Sequence, residues 1–564
     1  MSNLLLLNFD SKINLDKNAT SVYWNSNFNS KKNSISIPNE INNNAKIYRE
    51  SYLSYLDRLN DHFKNIKVDK IPYWLLSSIA CKQGSFTNPF EIKNAIKFIY
   101  FESLLKRSSF KRLILTGSVD NRIILVLKPL LKKYNIEYFD RSSKERVNAL
   151  RKYLSILKTL LNLVLTSSKK KQNNIKINTL LVDYSSSKNQ INYWNRLIKN
   201  FNPEYTLKLN VDIDSKTSNY STNDHFNSVF LYNNFSLKES IRIFLDIIKL
   251  YKTVKNRVFF DYNKSLNFWP IYSELIFKDF VGSNALFNSI TMSSVKNLYK
   301  NNPNISLILY PRENQAWERI LLFYSNKNSV SIGNFHAGFK YWDLRNYLNE
   351  SDYLRQNQMK PSIFSIYSKT LIDILSYDKN FRNENFELVE SLRLKNFKKE
   401  NNSLNTFRGL VVILDYDKAI SIKQIELVLK FMKKCSITQV VFKAHINNYE
   451  YLSKKYKSIN FQKDDIEKLI NTNSHFFCSN NTTLSVELIS SGCNTSIMDS
   501  GTNLDMDPSK IYGLETIKIK SEDDLLIFIN SNQNNQSKNL FELNNDFPLW
   551  KKLLISLNNE LILN

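Results

Sequence analysis

Between residues 409 and 500 the chain alternates short runs of β-branched and aromatic residues with longer amphipathic ones, and this alternation constrains the fold more than any other feature. GLVVILDYD (409–417), TQVVFKAH (438–445), SHFFCS (474–479) and NTSIMDS (494–500) read as strands. SIKQIELVLKFMKK (421–434), IEKLINTN (466–473) and TLSVELISSG (483–492) read as the helices between them. Strands separated by helical crossovers pair in parallel, so the region is predicted to be a compact Rossmann-like domain with NTSIMDS as its final strand.

The same alternation runs through the earlier part of the chain. KRLILTGSVDNRIILVLKPLLKKYNIEYFD (111–140) gives strand, helix, strand. INTLLVDYSSS (177–187) followed by INYWNRLIKNF (191–201), and ISLILYPRENQAWERILLFYSNKNSVSIGNFHAG (305–338), repeat the pattern. Residues 1–395 therefore read as an α/β domain with helical insertions, residues 396–407 (NFKKENNSLNTF) as a polar linker, and residues 408–564 as the second domain. The closing segment PLWKKLLISLNNELIL (548–563) reads as an amphipathic helix free to pack on either domain. The expected architecture is α/β: two Rossmann-like domains facing a cleft. A chain of 564 residues is long enough for both to have a full core.

Charge and cysteine use exclude several classes. The formal charge of +26 comes mainly from lysine in a chain also rich in Asn, Ile, Phe and Tyr, residues that share A/T-rich codons. A solvated lysine surface accounts for most of it, a membrane-facing patch comes second, and nucleic acid is disfavoured. The four cysteines are far apart and never form a CxxC pair, which points to a reducing compartment and away from a zinc ribbon. MSNLLLLNFDSK lacks a basic n-region and reads as a first strand. No run approaches about 18 apolar residues, so a cytoplasmic protein is expected, with peripheral attachment at the inner membrane face left open. One segment, RKYLSILKTLLNLVLTSS (151–168), is broadly apolar with a narrow polar stripe and is flanked by Arg146 and Lys169 to Lys171. Burial between domains is its first reading and a membrane interface its second.

The polar residues that follow strands are the candidates for chemistry, because open α/β sheets bind ligands at the carboxyl ends of their strands. In the second domain VVFKAHINN (440–448) offers Lys443 and His445, and FFCSNNTTLSVEL (476–488) offers Ser479, Thr482 and Thr483 at a helix start that carries Glu487. Hydroxyls and free N–H groups there, with a Lys-x-His on the neighbouring strand, make a cradle suited to a nucleotide phosphate. Ordinary helix capping by the threonines is the competing reading. In the first domain YPRENQAWERILL (310–322) and GNFHAGFKYWDLR (333–345) place Glu313, His336, Asp343 and Arg345 after strands. A His oriented by a carboxylate can take a proton from a hydroxyl near neutral pH, and an Arg can hold an acidic group. Gly333 and Gly338 beside His336 permit close backbone approach, and Glu318 with Arg319 reads as a solvated helix face. There is no P-loop and no GxGxxG after a strand. The acidic pairs Asp212/Asp214, Asp415/Asp417 and Asp505/Asp507 are common chance patterns, and no metal is expected.

SLNFWPIYSELIFKDFVGSNALFNSI (265–290), the Glu-Asn-Gln-x-Trp-Glu block at 313–318 and the Gly-x-x-His and Trp-Asp-Leu-Arg blocks at 333–336 and 342–345 resemble the bacterial surface carbohydrate biosynthesis family. That family is found beside O-antigen and lipopolysaccharide gene clusters. The second domain is similar, more weakly, to the donor domain of two-Rossmann (GT-B) glycosyltransferases such as bacterial sialyl- and polysialyltransferases. His445 is followed by Ile446 where those enzymes have Pro, and Asn480 and Asn481 interrupt the hydroxyl run. The resemblance implies an inverting, metal-independent glycosyltransferase of surface polysaccharide. It would need no cofactor and would use a nucleotide-sugar donor, with a CMP-linked, sialic-acid-like sugar suspected. The acceptor would be a glycan or lipid-linked glycan. Lys443, His445, Ser479, Thr482 and Thr483 would hold the donor phosphate, and Glu487 a ribose hydroxyl. His336 would be base or leaving-group stabiliser with Glu313 and Asp343 around it, and Arg345, Trp317 and Trp342 would bind the acceptor. A CDP-alcohol phosphotransferase and a non-catalytic polysaccharide-assembly protein remain alternatives.

Overall fold

The computed structural model describes residues 4–9, 19–26, 30, 33–87, 89–140, 143–145, 177–183, 194–211, 227–231, 237–255, 261–262, 266–349, 359–378, 381, 383–394, 409–435, 439–462, 466, 475–499, 504–531 and 539–557. The 151–168 segment with its flanking lysines, the 396–407 linker, most of IEKLINTN and the Asp212/Asp214 pair lie outside these residues.

Three parallel sheets carry the molecule. The first contains β1 (Leu4–Asn8), β2 (Thr20–Tyr23), β3 (Ser34–Ser36), β4 (Arg112–Thr116) and β5 (Glu137–Asp140), in the order β3-β2-β1-β4-β5. The second contains β6 (Thr179–Asp183), β7 (Thr206–Asn210), β8 (Asn227–Phe230), β9 (Leu307–Pro311), β10 (Val330–Asn334), β11 (Ile363–Ile366) and β12 (Phe386–Leu388). Its order is β8-β7-β6-β9-β10-β11-β12. The third contains β13 (Leu410–Ile413), β14 (Val440–Lys443), β15 (His475–Cys478), β16 (Asn494–Met498) and β17 (Ile517–Ile519), in the order β14-β13-β15-β16-β17. Each order reverses direction once, which is the doubly wound arrangement, and each reversal leaves a crevice at the strands' carboxyl ends.

The α/β class with two Rossmann-like halves facing a cleft is thus present, in the second and third sheets. Residues 1–395, read from sequence as a single α/β unit with insertions, hold two separate sheets. The inserted helices are α1 (Ala45–Phe63) and α2 (Phe90–Lys106) between β3 and β4, with α3 (Asn121–Lys133) before β5. Between β8 and β9 lie α4 (Leu237–Lys255), α5 (Trp269–Phe280) and α6 (Ser283–Asn301). The first two sheets share one apolar core that runs from Leu5, Leu7 and Leu113 through Leu180, Ile308 and Phe364 to Val486 and Tyr512 of the last region. Buried tyrosines stitch it internally: Tyr52 and Tyr272 share a 2.8 Å hydroxyl contact, and Tyr73 donates to the Asp279 carbonyl.

NTSIMDS is β16 but not the last strand, since β17 extends the sheet. A helix begins directly after β14, where the sequence suggested only a loop. Residues 194–201 form turns and a 3-10 segment in place of the expected α-helix, and Trp194, Leu197 and Phe201 are buried in one core. That core receives the terminal helix, Pro548–Ser556, through Trp550, Leu553 and Leu554. Glu390 accepts the N–H groups of Leu549 and Trp550, satisfying two orphan donors at this helix's start. The Pro548–Ser556 helix therefore packs on the second sheet rather than on the third.

Candidate active site

A cavity of about 570 Å³ opens between the second and third sheets. Its wall is built from the segments that follow β9, β10, β13, β14 and β15, the ligand-binding edge of both sheets. It unites Glu313, His336, Asp343 and Arg345 with His445, Thr482 and Thr483, which lie up to 170 positions apart in the chain. Gln83 and Gly84 add a contribution from the loop before α2.

The turn after β9 presents Glu313 by a device internal to the sequence. The helix that follows it, α7 (Ala316–Tyr324), starts with a capping box of Gln315 and Glu318. The Glu318 carboxylate accepts the N–H groups of Glu313, Asn314 and Gln315. Asn314 sits at φ 55°, a left-handed conformation that Asn tolerates better than most residues. Its side-chain oxygen accepts from Arg319, which also donates to the Leu75 carbonyl. Glu318 and Arg319 are therefore buried scaffolding, not a solvated face. Burial pushes the Glu318 carboxyl up to about 7 even though three N–H groups oppose the shift.

Glu313 meets the imidazole Nε2 of His336 at 3.0 Å and receives a hydrogen bond from the Gln315 amide. Burial pushes its carboxyl up, but the hydrogen bond and charge of His336, then Arg345 and Gln315, outweigh it and hold the group at about 2. It is a carboxylate at any physiological pH, so Nε2 carries the proton of this bond. His336 Nδ1 is buried, and the Nε2–H is already engaged by Glu313.

Asp343 and Arg345 form a two-pronged pair, Nε to Oδ1 at 2.9 Å and a terminal nitrogen to Oδ2 at 2.8 Å. The Ser85 hydroxyl donates to the same carboxylate. Burial raises the Asp343 carboxyl, and Arg345, Lys340 and Ser85 bring it below its ordinary value. Arg345 is thus largely neutralised from within, and it also leans on Glu313 at 3.8 Å.

The third sheet adds hydrogen-bonding groups, and Lys340 reaches them from the second. His445 caps the N-terminus of α9 (Ile446–Lys455), its Nδ1 accepting the Asn447 N–H at 3.3 Å. Burial and then the Arg393 charge lower its pKa, so at neutral pH the ring is uncharged with its proton on Nε2. Tyr416 stands edge-on to that ring, 5.0 Å away. Thr482 and Thr483 precede α10 (Leu484–Ser490), and Thr483 makes no side-chain cap. Lys340 crosses from the first wall to the second, donating to the backbone oxygen of Asn481 at 2.6 Å and to its side-chain oxygen at 2.7 Å. Burial lowers its pKa to about 8 against the opposing pull of Asp343 and Asp415. Gly338 makes the approach of the two walls possible: a Cβ there would lie 2.3 Å from Thr483 Cγ2.

Several expected residues stand elsewhere. Trp317 and Trp342 are buried and off the cavity wall; Trp317 packs edge-on against Tyr310, and Trp342 donates to Asn42. Both tryptophans serve the fold, and the aromatic acceptor shelf expected of them is not on this wall. Ser479 is fully buried behind the wall, and Lys443 does not line it. Glu487 lies off the wall as well, near the Tyr367 and Tyr512 hydroxyls, whose pKa values are raised by burial first and by the Glu487 charge to a lesser extent. Asp415 is buried beneath Tyr416, its carboxyl raised by burial, and Asp417 caps the next helix. Among the described residues no group of three or more His, Cys, Asp or Glu is arranged to hold a metal ion. Lys340, Arg393 and Tyr416 are wall residues that sequence reasoning missed.

No protein-family model matches the chain, and no curated protein matches it in sequence. Solved structures similar to it include S. aureus MnaA with UDP, at 9% identity and TM-score 0.36 over 68% of this chain and 98% of that one. Another is the UDP-GlcNAc 2-epimerase of Methanocaldococcus jannaschii, at 10% identity and TM-score 0.33 over 67% and 99%. A third is Arabidopsis thaliana UGT89C1 with UDP-L-rhamnose, at 10% and 0.33 over 68% and 94%. These likenesses are too loose to assign anything, and the fold rests on the sheet orders given above.

No helix among the described residues is long and apolar enough to cross a membrane.

Proposed function

We propose that the chain is a glycosyltransferase that moves a sugar from a nucleotide donor to a glycan acceptor, as a step of surface polysaccharide synthesis. One observation carries this reading: a single cavity joins the Glu313–His336 pair on one Rossmann-like sheet to His445, Thr482 and Thr483 on the other. The donor phosphate lies against the third sheet's loops, where the His445 Nε2–H and threonine hydroxyls supply hydrogen bonds, while Lys340 and Arg393 supply charge from the second-sheet side. The acceptor hydroxyl lies against the Glu313 carboxylate, which the His336 Nε2–H holds in place. Transfer forms a bond from that hydroxyl oxygen to the anomeric carbon and breaks the bond to the donor phosphate. The hydroxyl proton leaves to the Glu313–His336 pair. Glu313 alone is a weak base, and a weak base serves because bond formation has by then made the proton acidic. His336 stabilises the charge and orients the carboxylate, so its part is closer to electrostatic support than to a free-standing base.

The test is sugar transfer and nucleotide release measured with a panel of nucleotide sugars, on wild type, Glu313→Gln and His336→Ala. Turnover is expected to fall by about 10²-fold or more in both variants while donor affinity holds. Equal losses in donor affinity and turnover, or no loss, would remove the pair from the chemistry.

A further inference from the structure

Helix α4 carries two apolar faces, and only one of them is buried. Ile243, Ile247 and Leu250 turn inward, the first two meeting Ala285 and Leu286 of α6. Ile241, Phe244, Leu245, Ile248 and Tyr251 are exposed, from 36% for Ile248 to 61% for Ile241. At about 100° per residue these five fall within about one third of the helix circumference, in a stripe about 15 Å long. Exposed apolar residues scattered singly need no explanation, but a continuous stripe on one helix does. Arg242 and Lys249, both exposed, lie along one flank of the stripe, and exposed Lys252 sits at its C-terminal end. The one acidic residue in this stretch, Asp246, is half-buried and lies on the far side of that flank.

We propose that the outer face of α4 docks on an anionic bilayer surface, with the helix lying in the plane of the interface. Phe244, Leu245 and Ile248 would enter the boundary between head groups and acyl chains, while Lys249 and Lys252 meet lipid phosphates and Arg242, 3.9 Å from Asp69, adds less. A second copy of the chain is the less suitable occupant. Face-to-face pairing of two such helices would bring the same cations together, whereas anionic lipid satisfies the stripe and its basic flank at once. This inference does not depend on the sugar-transfer reading, although a peripheral enzyme would meet a lipid-linked acceptor where that acceptor resides.

The experiment is vesicle flotation of the full chain. It compares phosphatidylcholine vesicles with vesicles containing about 30% phosphatidylglycerol. Wild type should float with the anionic vesicles and not with the neutral ones. Both Phe244→Ser/Leu245→Ser/Ile248→Ser and Lys249→Glu/Lys252→Glu should lower the bound fraction by about tenfold or more. The charge-reversal variant alters only exposed residues, so it tests the idea even if the triple variant folds poorly. Absence of wild-type flotation, equal binding to both vesicle types, or unchanged binding by both variants would overturn the proposal. So would a wild-type dimer that the triple variant dissolves while lipid binding is absent.

Discussion

Lys340 is the side chain whose charge state most directly sets what the cavity can hold. Burial brings its pKa from 10.5 to about 8, so the ammonium that, on the proposed function, would face a donor phosphate is lost just above physiological pH. The folded-state value lies below the unfolded one. Between about 8 and 10.5 the unfolded chain therefore holds a proton that the folded chain lacks, and this group's contribution to stability rises with pH. Ligand binding should move the other way. Between pH 7.5 and 9, where a nucleoside diphosphate is already fully ionised, calorimetric affinity should weaken by up to about tenfold per pH unit above 8, and Lys340→Met should flatten the profile. A wild-type profile as flat as the variant's would show that Lys340 does not carry this charge. Lys340 stands inside GNFHAGFKYWDLR, yet a buried lysine cannot be told from a solvated one in a chain so rich in the residue. Glu313 and His336 were legible because each follows an apolar strand run in a glycine- or turn-marked loop. Trp317 and Trp342 misled for the opposite reason: an indole beside polar residues looks like a ligand platform until packing shows both rings enclosed.

At the scale of elements, the site depends on two loops pressed together, and Gly338 marks where. Replacing it by Ala would put a methyl group 2.6 Å from Thr483 Cβ, too close to survive without moving one loop. Gly338→Ala should weaken nucleotide binding by about tenfold or more and lower stability by about 1–3 kcal/mol. Gly338→Ala/Thr483→Gly should recover most of the stability while the affinity stays low, because the Thr483 hydroxyl goes with the clash, and calorimetry with thermal unfolding would read both quantities. Full affinity in the single variant would mean that the walls do not need this contact. Strand and helix periodicity made β9, α7, β10, β13, α8 (Lys418–Cys435) and β15 readable in advance. The start of α9 at His445 was not, because a His cap is less distinctive than Ser, Thr, Asp or Asn. β17 escaped for a related reason, since three residues are too few for alternation to register.

For the whole molecule, the three-sheet layout explains why the cleft is not simply a gap between two domains. The N-terminal sheet shares a core with the second and sends Gln83, Gly84 and Ser85 to the cavity and its Asp343. Asn42 accepts from both Trp342 and the Asp505 N–H, tying all three regions at one oxygen. The terminal helix returns to the second sheet through Trp550 and Glu390, so the last domain is held to its neighbour at two places. None of this long-range closure is encoded in local periodicity; it emerges from which apolar faces remain after each sheet is built. On the proposed function the cavity binds a nucleotide through its third-sheet wall. Titration calorimetry with CMP, CDP, UDP and GDP, on wild type and His445→Ala, tests it most directly. One nucleotide class should bind wild type and lose about tenfold or more in the variant, the worth of a hydrogen bond to a charged phosphate. Well-folded wild type that binds none of the four, or a variant that binds as tightly as wild type, would contradict the account.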